Sequence, residues 1–175
     1  MNKKKIVFLD RDGVINKEKK YLYKVKDFEF INGVFESLNY LKRLGFEFVI
    51  ISNQSGIGRG YYSLDEFNNL NQWMLKEFKR KEINILDVLI CPHTDGDNCY
   101  CRKPKPGLFV EAIKKHNINA NKSFVVGDAE RDILAAKESG VKTKILVRSG
   151  HPIDEINTQS DFILNSIKDI STIIR

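Results

Sequence analysis

Ile6-Val7-Phe8-Leu9-Asp10-Arg11-Asp12-Gly13 puts four apolar residues directly ahead of two carboxylates spaced two positions apart, and a glycine closes the turn. An apolar run without alternation reads as a strand buried on both faces, as in a parallel sheet. Ligand sites in open α/β sheets lie just beyond the carboxyl ends of such strands. There, one carboxylate can attack phosphorus while the other hands a proton to and from the leaving group. A hard cation would hold the pair together. The competing reading is an acidic turn after a core strand.

Working outward, apolar runs alternate with helical patterns. Strands are expected at 6–10, 46–52, 88–91, 124–128, 145–148 and 161–164, and helices near 34–44, 64–81, 107–116, 129–139 and 167–173. This alternation predicts an α/β fold, a three-layer Rossmann-like parallel sheet with helices on both faces. Ser63-Leu-Asp-Glu66 is a capping box, Gly45 and Gly140 sit where helices should stop, and Pro106 suits a first helical turn. Phe67, Leu70, Trp73 and Met74 recur at helical spacing and read as core. Residues 16–29 show no period and read as a loop or short hairpin over the end of the first strand, packed down by Tyr21, Tyr23, Phe28 and Phe30.

The chain has 175 residues, 42% hydrophobic and 30% charged, which suits one soluble domain spanning 1–175. No apolar run approaches the roughly 20 residues of a membrane span. The basic start, Met1-Asn2-Lys3-Lys4-Lys5, leads straight into a core strand, so no export and a cytoplasmic location are expected. A net charge of +6 favours anionic ligands, phosphates included. No basic cluster is interleaved with aromatics, so neither nucleic acid nor membrane is an expected partner.

Three further segments at or near strand ends carry phosphoryl chemistry. Ser52-Asn53-Gln54-Ser55-Gly56-Ile57-Gly58-Arg59-Gly60 gathers a hydroxyl, amides, glycines and an arginine that can donate to phosphate oxygens. Cys101-Arg102-Lys103-Pro104-Lys105-Pro106-Gly107 offers a compact cation and a planar fork. Val125-Val126-Gly127-Asp128-Ala129-Glu130-Arg131-Asp132 again ends an apolar strand in an acid. Asp128 would complete a Mg2+ shell with Asp10 and the main-chain carbonyl of Asp12. Asp132, one helical turn on, would orient the site, or pair with the helix dipole.

All three cysteines fall within eleven residues, as Cys91-Pro92-His93, five residues, then Cys99-Tyr100-Cys101. With His93 they form a candidate Cys3His tetrahedral zinc site that leaves no open position. Zinc would therefore stabilise the loop and aim the adjoining Arg102 and Lys103. His116 and His151 have no ligand partners nearby in sequence and read as surface or loop histidines.

Asp10-x-Asp12-Gly13, Ser52, Lys103 and Gly127-Asp128-x-x-x-Asp132, in that order, resemble the four motifs of the haloacid-dehalogenase-like hydrolases, across essentially the whole chain. The resemblance implies that Asp10 is the nucleophile forming a phosphoaspartyl intermediate and that Asp12 is general acid, then base. Ser52 and Lys103, with Lys105 as the alternative lysine, would neutralise phosphoryl oxygens. The intervals between motifs leave no room for a cap domain, so substrate recognition falls to loops at 18–21, 52–59 and 91–102.

The cysteine loop is similar to that of two capless families, the D-glycero-D-manno-heptose 1,7-bisphosphate phosphatases and the histidinol phosphatases. Asp27–Val34, Ser52–Gly60, Cys101–Gly107 and Leu146–Gly150 favour the heptose family. That resemblance implies removal of the 7-phosphate to give heptose 1-phosphate, on the way to activated heptose for lipopolysaccharide or other surface glycans. A monomer binding a small phosphorylated sugar is implied, with Arg11, Glu18, Lys19, Lys20, Tyr21, Asn53, Gln54, Ser55, Arg59 and Arg102 as substrate contacts. Two departures stand out: the short five-residue gap between His93 and Cys99, and Ala129 where heptose enzymes often place a lysine. Arg131 is not expected to replace that lysine, because a helical residue two positions on faces elsewhere. The alternatives are a histidinol-phosphate or other small phosphomonoester phosphatase and, in a different class, a zinc-stabilised binding module without activity. Asp10, Asp12, Lys103 and Asp128 together count against the last.

Overall fold

The computed structural model describes residues 3–175, so Met1 and Asn2, part of the basic start, lie outside the described residues. Six strands form one parallel sheet in the order β3-β2-β1-β4-β5-β6. They are β1 (Ile6–Leu9), β2 (Glu47–Asn53), β3 (Ile85–Cys91), β4 (Phe124–Gly127), β5 (Thr143–Val147) and β6 (Phe162–Leu164). The helices are α1 (Val34–Arg43), α2 (Ser55–Gly58), α3 (Leu64–Arg80), α4 (Gly107–Lys115) and α5 (Glu130–Glu138).

The unbroken apolar strands are explained by two separate cores, one on each face of the sheet. Val7, Leu9, Phe48, Ile50, Phe124 and Val126 point into a core shared with Val34, Leu38 and Leu41 of α1 and Met74 and Phe78 of α3. Ile6, Phe8, Val49, Ile51 and Val125 point into the other, with Leu108, Phe109 and Ala112 of α4 and Ile133, Ala135 and Ala136 of α5. Side chains alternate across a strand, so only a strand covered on both sides can be apolar throughout. Phe67 and Leu70 are buried and Trp73 packs at the margin of the first core, as helical spacing predicts.

Several boundaries differ from the sequence reading. β3 starts three residues earlier than expected, at Ile85, because register with Phe48 extends the edge pairing past a β-bulge. The last expected helix is a 3-10 turn, Ile167–Thr172, opened by the Ser166 hydroxyl accepting from the Lys168 amide. Segment 55–58, read as a Gly-rich loop, is a single helical turn, α2. Among the described residues no inserted domain interrupts the β1–β2 or β2–β4 intervals. Segment 16–29 is held by the Asn16–Phe30 bridge, and Tyr23 stacks on Tyr62 with centroids 5.1 Å apart. β1 and β4 are neighbours at the centre, where the strand order reverses. Their carboxyl ends carry Asp10 and Asp128 to one crevice.

Candidate active site

A cavity of about 300 Å³ opens at the carboxyl ends of β1, β2 and β4. Asp10, Asp12, Ser52 and Lys103 line it together. The Lys103 ammonium lies 2.9 Å from Asp10 Oδ1 and 2.6 Å from Asp132 Oδ1, and donates to the Ile51 carbonyl at 2.8 Å. Burial alone would lower the Lys103 pKa, but Asp10 and Asp132 outweigh it and hold the ammonium above its ordinary range. Burial pushes the Asp10 carboxyl well up. Lys103 opposes that push, and the nearby carboxylates of Asp132, Asp128 and Asp12 add to it. Lys105 instead donates to Asn98, so Lys103 is the lysine this geometry delivers to Asp10.

Lys103 arrives there because Asn53, at the end of β2, clamps its backbone. Asn53 Nδ2 donates to the Lys103 carbonyl and Asn53 Oδ1 accepts from the Lys103 amide, both at 3.1 Å. Gln54 Nε2 donates to Ser52 Oγ at 2.8 Å and to Asp12 Oδ2 at 3.2 Å, and its Oε1 accepts from Tyr62 at 2.6 Å. Burial raises the Tyr62 phenol to about 12, so it stays a donor. Asp12 also accepts from Arg11 and from Asn16 at 2.9 Å, which fixes its carboxylate at the cavity edge.

The structure redistributes the expected substrate contacts. Glu18, Lys20, Tyr21, Asn53, Gln54, Ser55, Arg59 and Arg102 line the cavity. Arg11 does not. It is 2% exposed, lies over the Phe67 ring and donates to the Leu22 carbonyl, so it anchors the 16–29 loop from beneath. Lys19 also points away, to the Asp27 carbonyl. Tyr21 reaches the rim at φ 55, in the left-handed region that costs a bulky side chain, with its ring edge-on to Tyr61 at 4.6 Å. Arg131, expected to face elsewhere, lines the cavity, because the first turn of α5 starts at the crevice.

His151 is the functional candidate that the sequence reading missed. Instead of a surface or loop histidine, it lines the cavity and contacts Asp128 at 2.6 Å. Its position just past β5 was the available signal, since strand ends build such sites. His116 also has a partner, Asp87 at 2.7 Å on the edge strand, remote from this cavity.

Asp10, Asp128 and Asp132 place carboxylate oxygens within 4.8 Å of one another. Asp132 is engaged by Lys103 and by the Ala129 amide. Asp128 is fully buried, and its Oδ1 has no partner. A buried, unpaired carboxylate oxygen beside a second carboxylate is costly without a cation. An all-oxygen donor set of this kind fits Mg2+. Gly13 and Gly150 make the space: a Cβ on either would fall 2.3 Å or 2.0 Å from Asp128 Oδ2.

Cys91, His93, Cys99 and Cys101 converge beside this cavity with ligand atoms within 4.8 Å of one another. Cys91 and Cys99 sulfurs are 3.5 Å apart, and His93 Nδ1 lies 3.2 Å from Cys101 Sγ. Zn–S bonds of about 2.3 Å in a tetrahedron place sulfurs roughly 3.8 Å apart; the Cys91 and Cys101 sulfurs, at 2.8 Å, would have to open on binding, and the Cys3His donor set is one that zinc takes. The loop positions Arg102, which donates to the His93 carbonyl and pairs with Asp95 at 2.6 Å.

A sequence model of the HAD-hydrolase-like family matches residues 100–170. The chain is 43% identical to the D-glycero-alpha-D-manno-heptose-1,7-bisphosphate 7-phosphatase of Photorhabdus laumondii, over 99% of this chain and 98% of that one. It is 42% identical to the D-glycero-beta-D-manno-heptose-1,7-bisphosphate 7-phosphatase of Pasteurella multocida, over 98% and 97%. The structure of the D,D-heptose 1,7-bisphosphate phosphatase from B. bronchiseptica, complexed with magnesium and phosphate, superimposes with a TM-score of 0.83 at 25% identity, covering 96% of each chain.

Proposed function

The chain belongs to the haloacid-dehalogenase-like hydrolases, among the D-glycero-D-manno-heptose-1,7-bisphosphate 7-phosphatases, and from that membership we propose that it hydrolyses the 7-phosphate of heptose 1,7-bisphosphate to leave heptose 1-phosphate. The observation that carries this reading is the pairing of Asp10 with Lys103 at 2.9 Å on the floor of an open cavity lined by further cations.

In this reading an Asp10 carboxylate oxygen attacks phosphorus in line with the C7 oxygen, which leaves as the P–O bond breaks. Asp12, held by Arg11, Asn16 and Gln54, gives its proton to that oxygen. Asp12 then takes a proton from the water that attacks the phosphoaspartyl group, releasing phosphate and restoring Asp10. Lys103 and Ser52 hold phosphoryl oxygens through both steps. Asp10, Asp128 and the Asp12 carbonyl would hold Mg2+, which would supply positive charge to offset the charge on the transferring group.

The heptose and its 1-phosphate are assigned to the cavity wall, where Glu18, Lys20, Tyr21, Asn53, Gln54, Ser55, Arg59 and Arg102 converge. The zinc loop supports this by fixing Arg102. The same proposal takes residues 1–175 as one domain, acting as a monomer in the cytoplasm, where reduced thiols suit a zinc site better than disulfides. The product serves activated-heptose synthesis for lipopolysaccharide or another surface glycan.

The test is a brief reaction with substrate labelled in its 7-phosphate, quenched in acid. Label should appear on the wild-type protein and be absent from Asp10→Asn. Labelled Asp10→Asn protein would reject Asp10 as the nucleophile.

A further inference from the structure

Several polar groups outside this cavity have ordinary partners. Asp87 is satisfied by Lys115, His116 and the Val88 amide. Glu130 accepts from Thr158 and the Gln159 amide. The hollow beside Gly33 and Lys168 presents Ser37, whose hydroxyl already donates to the Ile167 carbonyl. His151 stands apart, because its ring is 40% exposed in the cavity and yet it is tied to a fully buried acid.

Two donors from this one residue reach a single oxygen of Asp128: the backbone amide at 3.0 Å and ring Nδ1 at 2.6 Å. The other oxygen, Oδ1, has no partner. The doubly hydrogen-bonded Oδ2 is also walled in by the backbones of Gly13 and Gly150, which approach too closely for any Cβ. The carboxylate therefore has one setting, with one oxygen fixed and the other presented.

We infer that His151 is a positioning residue, which holds Asp128 Oδ2 so that Oδ1 is presented to a divalent cation shared with Asp10. Ligating carboxylates are commonly held by such outer partners, and removing one costs about 10- to 100-fold in metal affinity. Asp128 accepts as a carboxylate, so the His151 proton is on Nδ1. The inference rests on the proposed function only in taking Asp128 as a metal ligand. It involves no substrate, so failure of the heptose assignment would leave its test readable. A competing arrangement exists on the same residues: Glu18, Asp128 and His151 also place donor atoms within 4.8 Å of one another, and there the ring itself would ligate.

The experiment titrates the zinc-loaded protein with Mn2+, followed by electron paramagnetic resonance, for wild type, His151→Ala and His151→Asn. His151→Ala should weaken Mn2+ binding by about 10-fold or more. His151→Asn should restore most of the affinity, because its amide nitrogen can occupy the place of Nδ1. Zinc content and the melting temperature of the Mg2+-free protein should stay at wild-type values in both variants. If His151→Ala fails to fold, His151→Gln replaces it, since the longer side chain misplaces the donor. Wild-type Mn2+ affinity in the variant lacking the donor would overturn the inference. So would nitrogen coupling in the Mn2+ spectrum of the wild type, which would put the ring in the coordination sphere.

Discussion

Lys103 and Asp132 meet at 2.6 Å with their side chains 2% and 1% exposed. Asp132 thus faces Lys103 from one side while Asp10 faces it from the other, and the lysine is caught between acids of different fates. Asp10 is the proposed nucleophile, whereas Asp132 is assigned no covalent step. Breaking a buried pair by removing one partner costs about 3–5 kcal/mol, because the remaining charge stays buried. Asp132→Asn leaves Lys103 paired with Asp10 at 2.9 Å, so it should lower stability in urea denaturation by less than that. It should also reduce kcat, since the ammonium would settle closer to Asp10. Lys103→Arg should not restore activity, because a planar fork cannot replace a compact ammonium in this socket.

Asp10 predicts the opposite sign for stability. Its carboxyl is held above the ordinary range chiefly by burial. A carboxyl whose folded pKa is raised stabilises the fold when protonated, and that contribution is lost as pH rises from the unfolded value through the raised one. The Mg2+-free wild type should therefore lose stability as pH rises from about 4 toward neutrality through this group. Asp10→Asn should match or exceed the wild-type melting temperature at neutral pH despite being inactive. Added Mg2+ should raise the melting temperature of the wild type and have much less effect on the variant. A melting temperature for Asp10→Asn well below that of the wild type would contradict this.

The legibility of this chain in sequence follows from which interactions are local. The two-sided burial of Ile6–Leu9 was written in its unbroken apolar run, and with it the parallel sheet and the crevice. The convergence of Asp10, Asp12, Ser52 and Lys103 on one cavity was legible because strand ends mark them and their order forms a motif set. Arg11, a substrate contact only by resemblance, is taken inward by Phe67 and the Leu22 carbonyl, partners that no local pattern encodes. His151 has no local signature because its partner lies 23 residues away, beyond α5 and β5. No local pattern encodes that pairing. Arg131 reaches the cavity because α5 begins at the crevice, a boundary that helical spacing alone does not fix.

The zinc loop makes its own prediction. Burial raises the Cys91 thiol, as it does Cys101. Burial acts in the same direction on Cys99, but hydrogen bonds from Cys101 and the Arg102 backbone outweigh it and bring that thiol to about 7. Metal ligation needs thiolates, so loading zinc should release protons, and affinity should rise with pH. Elemental analysis should find about one tightly held zinc per chain. Cys99→Ser should lower zinc content and raise KM through Arg102. Full activity in folded, zinc-free protein would contradict the structural role.

Gly13 tests how tightly the cation site is built. It sits at φ 84, and a Cβ there would fall 2.3 Å from Asp128 Oδ2. Gly13→Ala must shift the acid or the turn, at a strain cost of order 1–3 kcal/mol. It should weaken Mg2+ activation strongly, read as a raised Mg2+ requirement in steady-state assays. Gly60, also at positive φ but with nothing within 4 Å of an added Cβ, is the control: Gly60→Ala should leave the Mg2+ requirement unchanged.

The activity proposed for this site is removal of the 7-phosphate from a heptose bisphosphate. The direct measurement is kcat/KM for both anomers of D-glycero-D-manno-heptose 1,7-bisphosphate and for histidinol phosphate, with the sugar product identified by phosphorus NMR. A clear preference for one or both heptose anomers is expected, with the phosphorus signal of C7 lost and that of C1 retained. A higher kcat/KM for histidinol phosphate, or loss of the C1 phosphate first, would contradict it.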